Sequence, residues 1–429
     1  MAQPKSNNLS SLSIRLTEAS TPVIPPTKSR DVRFYDLALK YFPLLVVLFF
    51  NGCASTMQQR VSLTGDILVD GPKMIASGPR RDRVLWQYRT ASAAMRRGQF
   101  DVAKPLLDDA LLTLGGVYGK DAEARKARGL FNKEARKTFI GEPYERSMAY
   151  FYRGVIYWRD GELDNARACF RSAEFEDSDA EKSEYKGDWV LPDYLDGLAT
   201  TKLAGDGSDA FKRAKAVAKN INLPDYNPQA NVLFILEYGP GPEKYAGGKY
   251  DEELRFRARG SPVLSAQIKA GSVSLPVAPC DDLNFQATTR GGRVMDHVLA
   301  NKAVFKGATD TIGDAAIISG AILANGRHYQ RNGSADEIGA GLILMGVASK
   351  LISAATTPEA DIRAWDNLPQ FISFAALKMP PGEHVVTLEF NNASGAANPK
   401  LTKTITVNVP ADHDKVVFVS DSSTTPQTQ

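Results

Sequence analysis

Residues that could carry chemistry are few in this chain, and most stand at the wrong distance from any partner. The four histidines, His297, His328, His384 and His413, have no second ligand at metal spacing. No HExxH, GxSxG or paired-cysteine zinc pattern occurs. Gly339-Ala340-Gly341 opens an apolar stretch, but Gly346 comes too late to complete a dinucleotide fingerprint. The segment 115–121 (GGVYGKD) holds a Gly-Lys pair without the earlier glycine or the Ser/Thr of a phosphate loop. Two polar groups remain. Asp361, Arg363 and Trp365 in DIRAWDNLP set a carboxylate, a guanidinium and an indole close together, which suits a bidentate clasp stacked on Trp365, or contact with a ligand. Glu142, Glu145 and Arg146 in GEPYER suit the capping and orienting of a helix with Pro143 in its first turn, or contact with a partner at the lip of a groove. These patterns argue for binding and positioning rather than catalysis, with no cofactor and no metal.

The elements that must position such groups begin with residues 150–173 (YFYRGVIYWRDGELDNARACFRSA). Helical spacing puts Gly154 and Tyr157 on the inner face of one short helix, and Ala166, Phe170 and Ala173 on the inner face of the next. A turn at Gly161 separates them. That is the spacing of a tetratricopeptide (TPR) repeat, in which small residues let two backbones approach and aromatics fill the gap. Residues 85–114 repeat it with Ala91, a turn at Gly98, then Phe100, Ala103, Leu107 and Ala110. The two turn glycines lie nearly two repeat periods apart, so a charged helix over 122–139 is expected between the units. A weaker third unit, 191–219, places Leu195, Leu198, Ala210 and Ala214 inward. Units of this kind bury their apolar faces only by stacking, which leaves a groove for a partner.

From residue 223 the texture changes. The run 231–238 (NVLFILEY) has the composition of a buried strand, and GPGPEK after it forms a stiff loop. Further strands are expected at 263–268, 273–277, 385–390, 402–409 and 415–419, with Pro380-Pro381-Gly382 turning into the third of these. Together they suggest a small β-sandwich or curved sheet. A Gly/Ala-rich insertion at about 294–357 interrupts it, with apolar segments 312–326 and 338–355. Gly320, Gly339, Gly341 and Gly346 allow close helix contact there. A hairpin packed on the rest of the protein is one reading of 312–355, and insertion into a membrane is the other; the short first segment and Lys350 in the second favour packing.

At the other end, residues 1–30 are polar and rich in Ser, Thr and Pro. Lys28, Arg30, Arg33 and Lys40 precede the apolar run 41–50 (YFPLLVVLFF), followed by Asn51-Gly52-Cys53-Ala54-Ser55. Charged residues, an apolar core too short to span and a small residue before the cut make the order of a signal peptide. Ending in Gly-Cys, it resembles a bacterial lipoprotein lipobox, which implies a diacylglycerol on Cys53 and cleavage before it. Ala54 in place of Asp implies sorting to the outer membrane. Phe50 and Asn51 depart from the lipobox preference, and a start codon near Arg30 would give the leader an ordinary length. Residues 54–82 are expected to be a tether.

Composition agrees with a non-nucleic-acid partner. The 52 Lys and Arg against 49 Asp and Glu leave a net charge of +3, with no basic run interleaved with aromatics. Cys169 and Cys280 have no CxxC companion and are expected to be unpaired. The lipobox, GEPYER leading into YRGVIYW, YGPGPEK, DIRAW with NLP, and the PPGEH turn together resemble a family of bacterial TPR-containing lipoproteins, over about 53–419. The resemblance supports an architecture and assigns no chemistry to these motifs.

The expected protein is α+β. Residues 1–52 form a leader with a lipoprotein signal peptide, 53–82 a tether, 83–222 an N-terminal helical TPR-like domain, and 223–429 a small β-sandwich-like domain with a helical-hairpin insertion. The expected function is that of a non-enzymatic adaptor, anchored through Cys53 to the outer membrane facing the periplasm, whose repeats bind an envelope protein or peptide and no nucleic acid. Envelope assembly through the 312–355 hairpin is the alternative. An envelope-polymer hydrolase is the enzyme alternative, for which the sequence offers no carboxylate pair.

Overall fold

Strand β1 (Val232–Pro240) is the element on which both halves of the protein meet. Its alternate residues Val232, Phe234, Leu236 and Tyr238 point into one core, while Leu233 and Ile235 point into the other. Burial on both faces is why the sequence here is a continuous apolar run rather than an alternating one. The computed structural model describes residues 62–117, 137–178, 187–218, 221, 223–249, 251–289, 360–424 and 427–428. They belong to one unit, Val61–Gln429; the other unit, Met1–Arg60, and with it Cys53, lies outside the described residues. The insertion at 294–357 and most of the helix expected at 122–139 also lie outside them. The described residues form an α+β protein.

On one side are helices α1 (Ile67–Ser77), α2 (Arg83–Arg96), α3 (Phe100–Val117), α4 (Pro143–Arg159), α5 (Leu163–Asp177), α6 (Val190–Lys202) and α7 (Ser208–Val217). The pairs α2–α3, α4–α5 and α6–α7 pack side by side, and α5 packs on α6. Gly98 and Gly161 make the first two turns with φ of 72° and 82°, a backbone that a side chain disfavours. Ala91, Ala103 and Ala110 are buried in the first pair; Gly154, Ala166, Phe170 and Ala173 are buried in the second. The Phe170 ring presses on Gly154 so closely that a Cβ there would lie 2.7 Å from its Cε1. Tyr157 departs from the expected role. It is half-buried and carries the Arg153 guanidinium 3.4 Å above its ring, so Phe170 alone fills the gap at Gly154.

The expected tether is in part a helix. Asp66 caps α1 by accepting from the Leu68 N–H at 3.0 Å, and Asp70 draws the preceding turn in by accepting from the Thr64 and Gly65 N–H groups at 2.8 Å. Those donors hold the Asp70 carboxyl below its usual pKa. Asp70-Gly71-Pro72 has the composition of a turn, which hides the helix in the sequence.

The other side has two facing sheets. One has the order β10 (Lys415–Ser420), β1, β7 (Pro369–Leu377) and β6 (Asp281–Asp282). The other runs β11 (Gln427–Thr428), β9 (Lys403–Val409), β8 (Gly382–Asn391), β4 (Ser265–Ala270) and β5 (Val273–Val277). Strand β1 pairs parallel with β10, Ile235 opposite Phe418, and antiparallel with β7, Ile235 opposite Phe374. Val386, Leu388 and Phe390 of β8 meet Phe234 and Tyr238 between the sheets. A charged hairpin, β2 (Glu243–Gly247) and β3 (Glu253–Arg257), and the short helix α8 (Leu283–Thr288) complete this side. Strand β4 starts two residues later than expected. Of the expected loop GPGPEK only Gly241-Pro242 lies between strands, since β1 runs to Pro240 and β2 begins at Glu243.

Candidate functional site

Three of the sequence motifs converge on one buried carboxylate, Glu145. Its Oε2 accepts from the Glu142 N–H at 2.7 Å, closing the first turn of α4, and from the Lys244 ammonium at 2.6 Å. Its Oε1 accepts from the Trp365 N–H at 2.7 Å. Glu145 is fully buried and the Lys244 side chain is 1 % exposed, so the pair sits in a low dielectric where its hydrogen bonds matter. Lys244 also donates to the Arg363 carbonyl at 3.0 Å. GEPYER, GPGPEK and DIRAW are thus parts of one junction between the helices and the sheets.

The loop carrying Asp361, Arg363 and Trp365 is stitched to α2 and to the turn before it. Arg363 donates through Nε and Nη2 to the two oxygens of Asp361 at 2.8 and 2.5 Å, and through Nη1 to Asp82 at 2.6 Å. The bidentate pair is therefore present, but not stacked on the indole. Trp365 stacks on Tyr88 instead, centroids 4.4 Å apart and planes 17° from parallel, and donates to the Ser92 hydroxyl at 3.2 Å. Arg363 lies over Phe139, 5.6 Å from its centroid. Tyr88 wins the indole because it is presented by the helix face that the loop crosses, and Arg363 is already spent on two carboxylates. Beside this junction is a cleft of about 450 Å³ whose wall includes Trp86, Arg89, Arg259 and Ile362.

A second buried junction lies at the other end of α2. Arg96 donates to Glu237 of β1 at 2.5 Å, and the Tyr152 hydroxyl donates to the same carboxylate. Burial and the neighbouring Glu237 charge push the Tyr152 phenol well above its usual pKa, so it remains a donor at neutral pH. Near the ends of α4 and α6, Trp158 and Lys202 both donate to Asp414, at 3.1 and 2.8 Å.

The larger opening, about 770 Å³, lies between α5, α6 and α7. Arg171 of α5 pairs with Asp196 at 3.0 Å, and Arg213 of α7 pairs with Asp193 at 2.6 Å. Both guanidinium groups are more than half exposed while both aspartates are 3 % exposed, so the carboxylates form the floor and the arginines the rim. Glu174 shares this wall; burial, then Asp193 and Asp281, push its carboxyl well above the usual range. Neither the sequence periodicity nor the motif search marked these residues. Their one signal is a density of acidic positions on helices whose apolar faces are already accounted for.

Under the floor, Asp281 accepts from the Val190 and Leu191 N–H groups at 2.8 and 2.9 Å, capping α6 from another element. Burial is the largest influence on it and raises its carboxyl to about 7, against the opposing pull of those two donors. The fold therefore holds a proton here between about pH 4 and about pH 7, where the unfolded chain has released it. Asp281 accordingly makes stability fall as pH rises through that window. Urea midpoints taken from about pH 5 to about pH 8 should show this slope in the native protein and a flatter profile in Asp281→Asn.

Cys169 and Cys280 are both free thiols, and burial pushes each up to about 12, which leaves no thiolate for nucleophilic work at neutral pH. His384 is half-buried on the Pro380 carbonyl and His413 is exposed on Asp412; His297 and His328 lie outside the described residues. Among the described residues no group of three His, Cys, Asp or Glu side chains is arranged to hold a metal. No helix among them is long and apolar enough to cross a membrane. Comparison with known proteins returns no matching family model, no matching curated protein and no matching solved structure.

Proposed function

We propose that this protein is a non-enzymatic adaptor of the bacterial cell envelope, held to the outer membrane by lipid on Cys53 and binding a protein segment through TPR-like helical repeats. In this reading the two facing sheets are a small β-sandwich-like brace. The observation that carries the proposal is the arrangement of three helix pairs with an open, charged cleft between the second and third, while their apolar side is already covered by β1 and β10. A stacked set of helix pairs has its interior satisfied by neighbours, so an open cleft with a polar floor is a place for a partner. The resemblance of Asn51-Gly52-Cys53-Ala54 to a lipobox supports the anchor, since several acyl chains together hold stably where one does not.

Fractionation of cells fed a clickable fatty acid tests the anchor. Label on the native protein, no label on Cys53→Ala, and release of that variant from the outer-membrane fraction are the expected results. A Cys53→Ala protein that stays in the membrane pellet would overturn the anchor and move attention to the apolar segments within 312–355.

A further inference from the structure

Among the described residues, the cleft between α5, α6 and α7 is lined by more carboxylates than cations. Five carboxylates line it, those of Glu174, Asp193, Asp196, Asp206 and Asp209, against the guanidinium groups of Arg171 and Arg213. Both arginines are engaged, Arg171 with both oxygens of Asp196 at 3.0 Å and Arg213 with Asp193 at 2.6 and 2.9 Å. Glu174 is left over. Its Oε1 is enclosed and has no hydrogen-bond partner, whereas Glu145, Glu237 and Asp281 each accept from two or more donors. An enclosed acceptor without a donor costs on the order of 1–3 kcal/mol, so its retention calls for an explanation.

The groups facing Glu174 make that explanation specific. Asp193 of α6, Asp281 of β6 and Asp188 before α6 all disfavour its negative charge, and Arg213 of α7, which opposes them, is already bonded to Asp193. A neutral donor would satisfy Oε1 but leave the excess of carboxylates uncorrected, and an anion would add to it. A metal ion is disfavoured because the carboxylates are spread along three helices rather than gathered around one point. A cationic group on a long stem fits: it can pass between the exposed arginines at the rim and place its N–H donors on the carboxylate within.

We propose that this cleft receives the side chain of a lysine or arginine from a partner protein segment, and that Glu174 is the residue that pairs with it. This rests on the adaptor reading and gives that partner its chemistry. Docking of the cation favours the ionised form of Glu174, so binding releases a proton and strengthens as pH rises through the range where free Glu174 titrates.

The test uses the full chain carrying Cys53→Ala, titrated with the tripeptides Ac-Ala-Arg-Ala-NH2 and Ac-Ala-Lys-Ala-NH2, and with the citrulline peptide as a neutral isostere. Amide shifts of Gly187 and Gly207, both in the cleft wall, report occupancy. At least one basic peptide should saturate these shifts in about the millimolar range, with the citrulline peptide at least about tenfold weaker. Glu174→Gln should erase that preference while keeping the urea midpoint, because the amide keeps the shape of the side chain and cannot ionise to meet a cation. Equal binding of basic and neutral peptides to the native cleft would overturn the proposal, and so would an unchanged preference in Glu174→Gln. A preference that appears only after Lys182→Gln or Lys186→Gln, in the adjoining sequence, would give the role to this chain's own lysines and also overturn it. The adaptor reading is judged separately, by crosslinking in cells from the same wall. A crosslinked partner with no peptide preference would sink the lysine or arginine assignment and leave the adaptor standing.

Discussion

Lys244→Met should lower the unfolding free energy by about 3–5 kcal/mol, the cost of leaving a buried carboxylate without its counter-ion. Glu145 has no exposed surface, and its nearest other cations are held elsewhere: Arg146 on Glu176 at 2.5 Å, and Arg363 on Asp361 and Asp82. The remaining donors to Glu145 are two backbone N–H groups, which stabilise the charge but do not neutralise it. The double variant Glu145→Gln with Lys244→Met should recover part of the loss, because a neutral amide replaces the carboxylate nearest the thioether, while Glu142, 3.7 Å from the Lys244 ammonium, still loses that partner. Urea denaturation of the single and double variants at one pH measures the coupling. Single-variant losses below about 1 kcal/mol would show that the pair is hydrated and that the junction does not fasten helices to sheets.

Arg96→Met should cost a similar amount, about 3 kcal/mol, at the far end of α2. Glu237 is 1 % exposed and lies on the helix-facing side of β1, in phase with Leu233 and Ile235. Without Arg96 the Tyr152 hydroxyl is its remaining side-chain donor among the described residues. Tyr152→Phe should cost less, about 1–3 kcal/mol, since the ion pair survives. The order of the two variants is the diagnostic. A Tyr152→Phe loss larger than that of Arg96→Met would mean that the charge of Glu237 is compensated elsewhere.

How far these elements could be read from sequence depends on the range of the interactions that make them. The helix pairs were legible because Ala91, Ala103, Ala166 and Phe170 repeat at helical spacing and their packing is local. Strand β1 was legible because both its faces are buried. Strand β7 was not: Pro369 closes what looks like a loop motif, and the pairing with β1 that makes it a strand lies far away in the chain. GEPYER, GPGPEK and DIRAW were each visible, but their meeting at Glu145 spans 99 and 220 positions, and nothing in any one motif announces the other two. The indole stacked on Tyr88 rather than on the ion pair was missed for the same reason. Glu174 stands in the acidic run AEFEDSDAE, which has the composition of a solvated helix face; only the approach of α6 and α7 encloses it.

The adaptor account is tested most directly by photocrosslinking in intact cells from Ala216, an exposed residue in the wall of the α5–α6–α7 cleft, with Val385 on the outer face of β8 as the comparison. The account predicts a discrete protein adduct from Ala216 and none from Val385. No adduct from Ala216, or the same adducts from both positions, would contradict it.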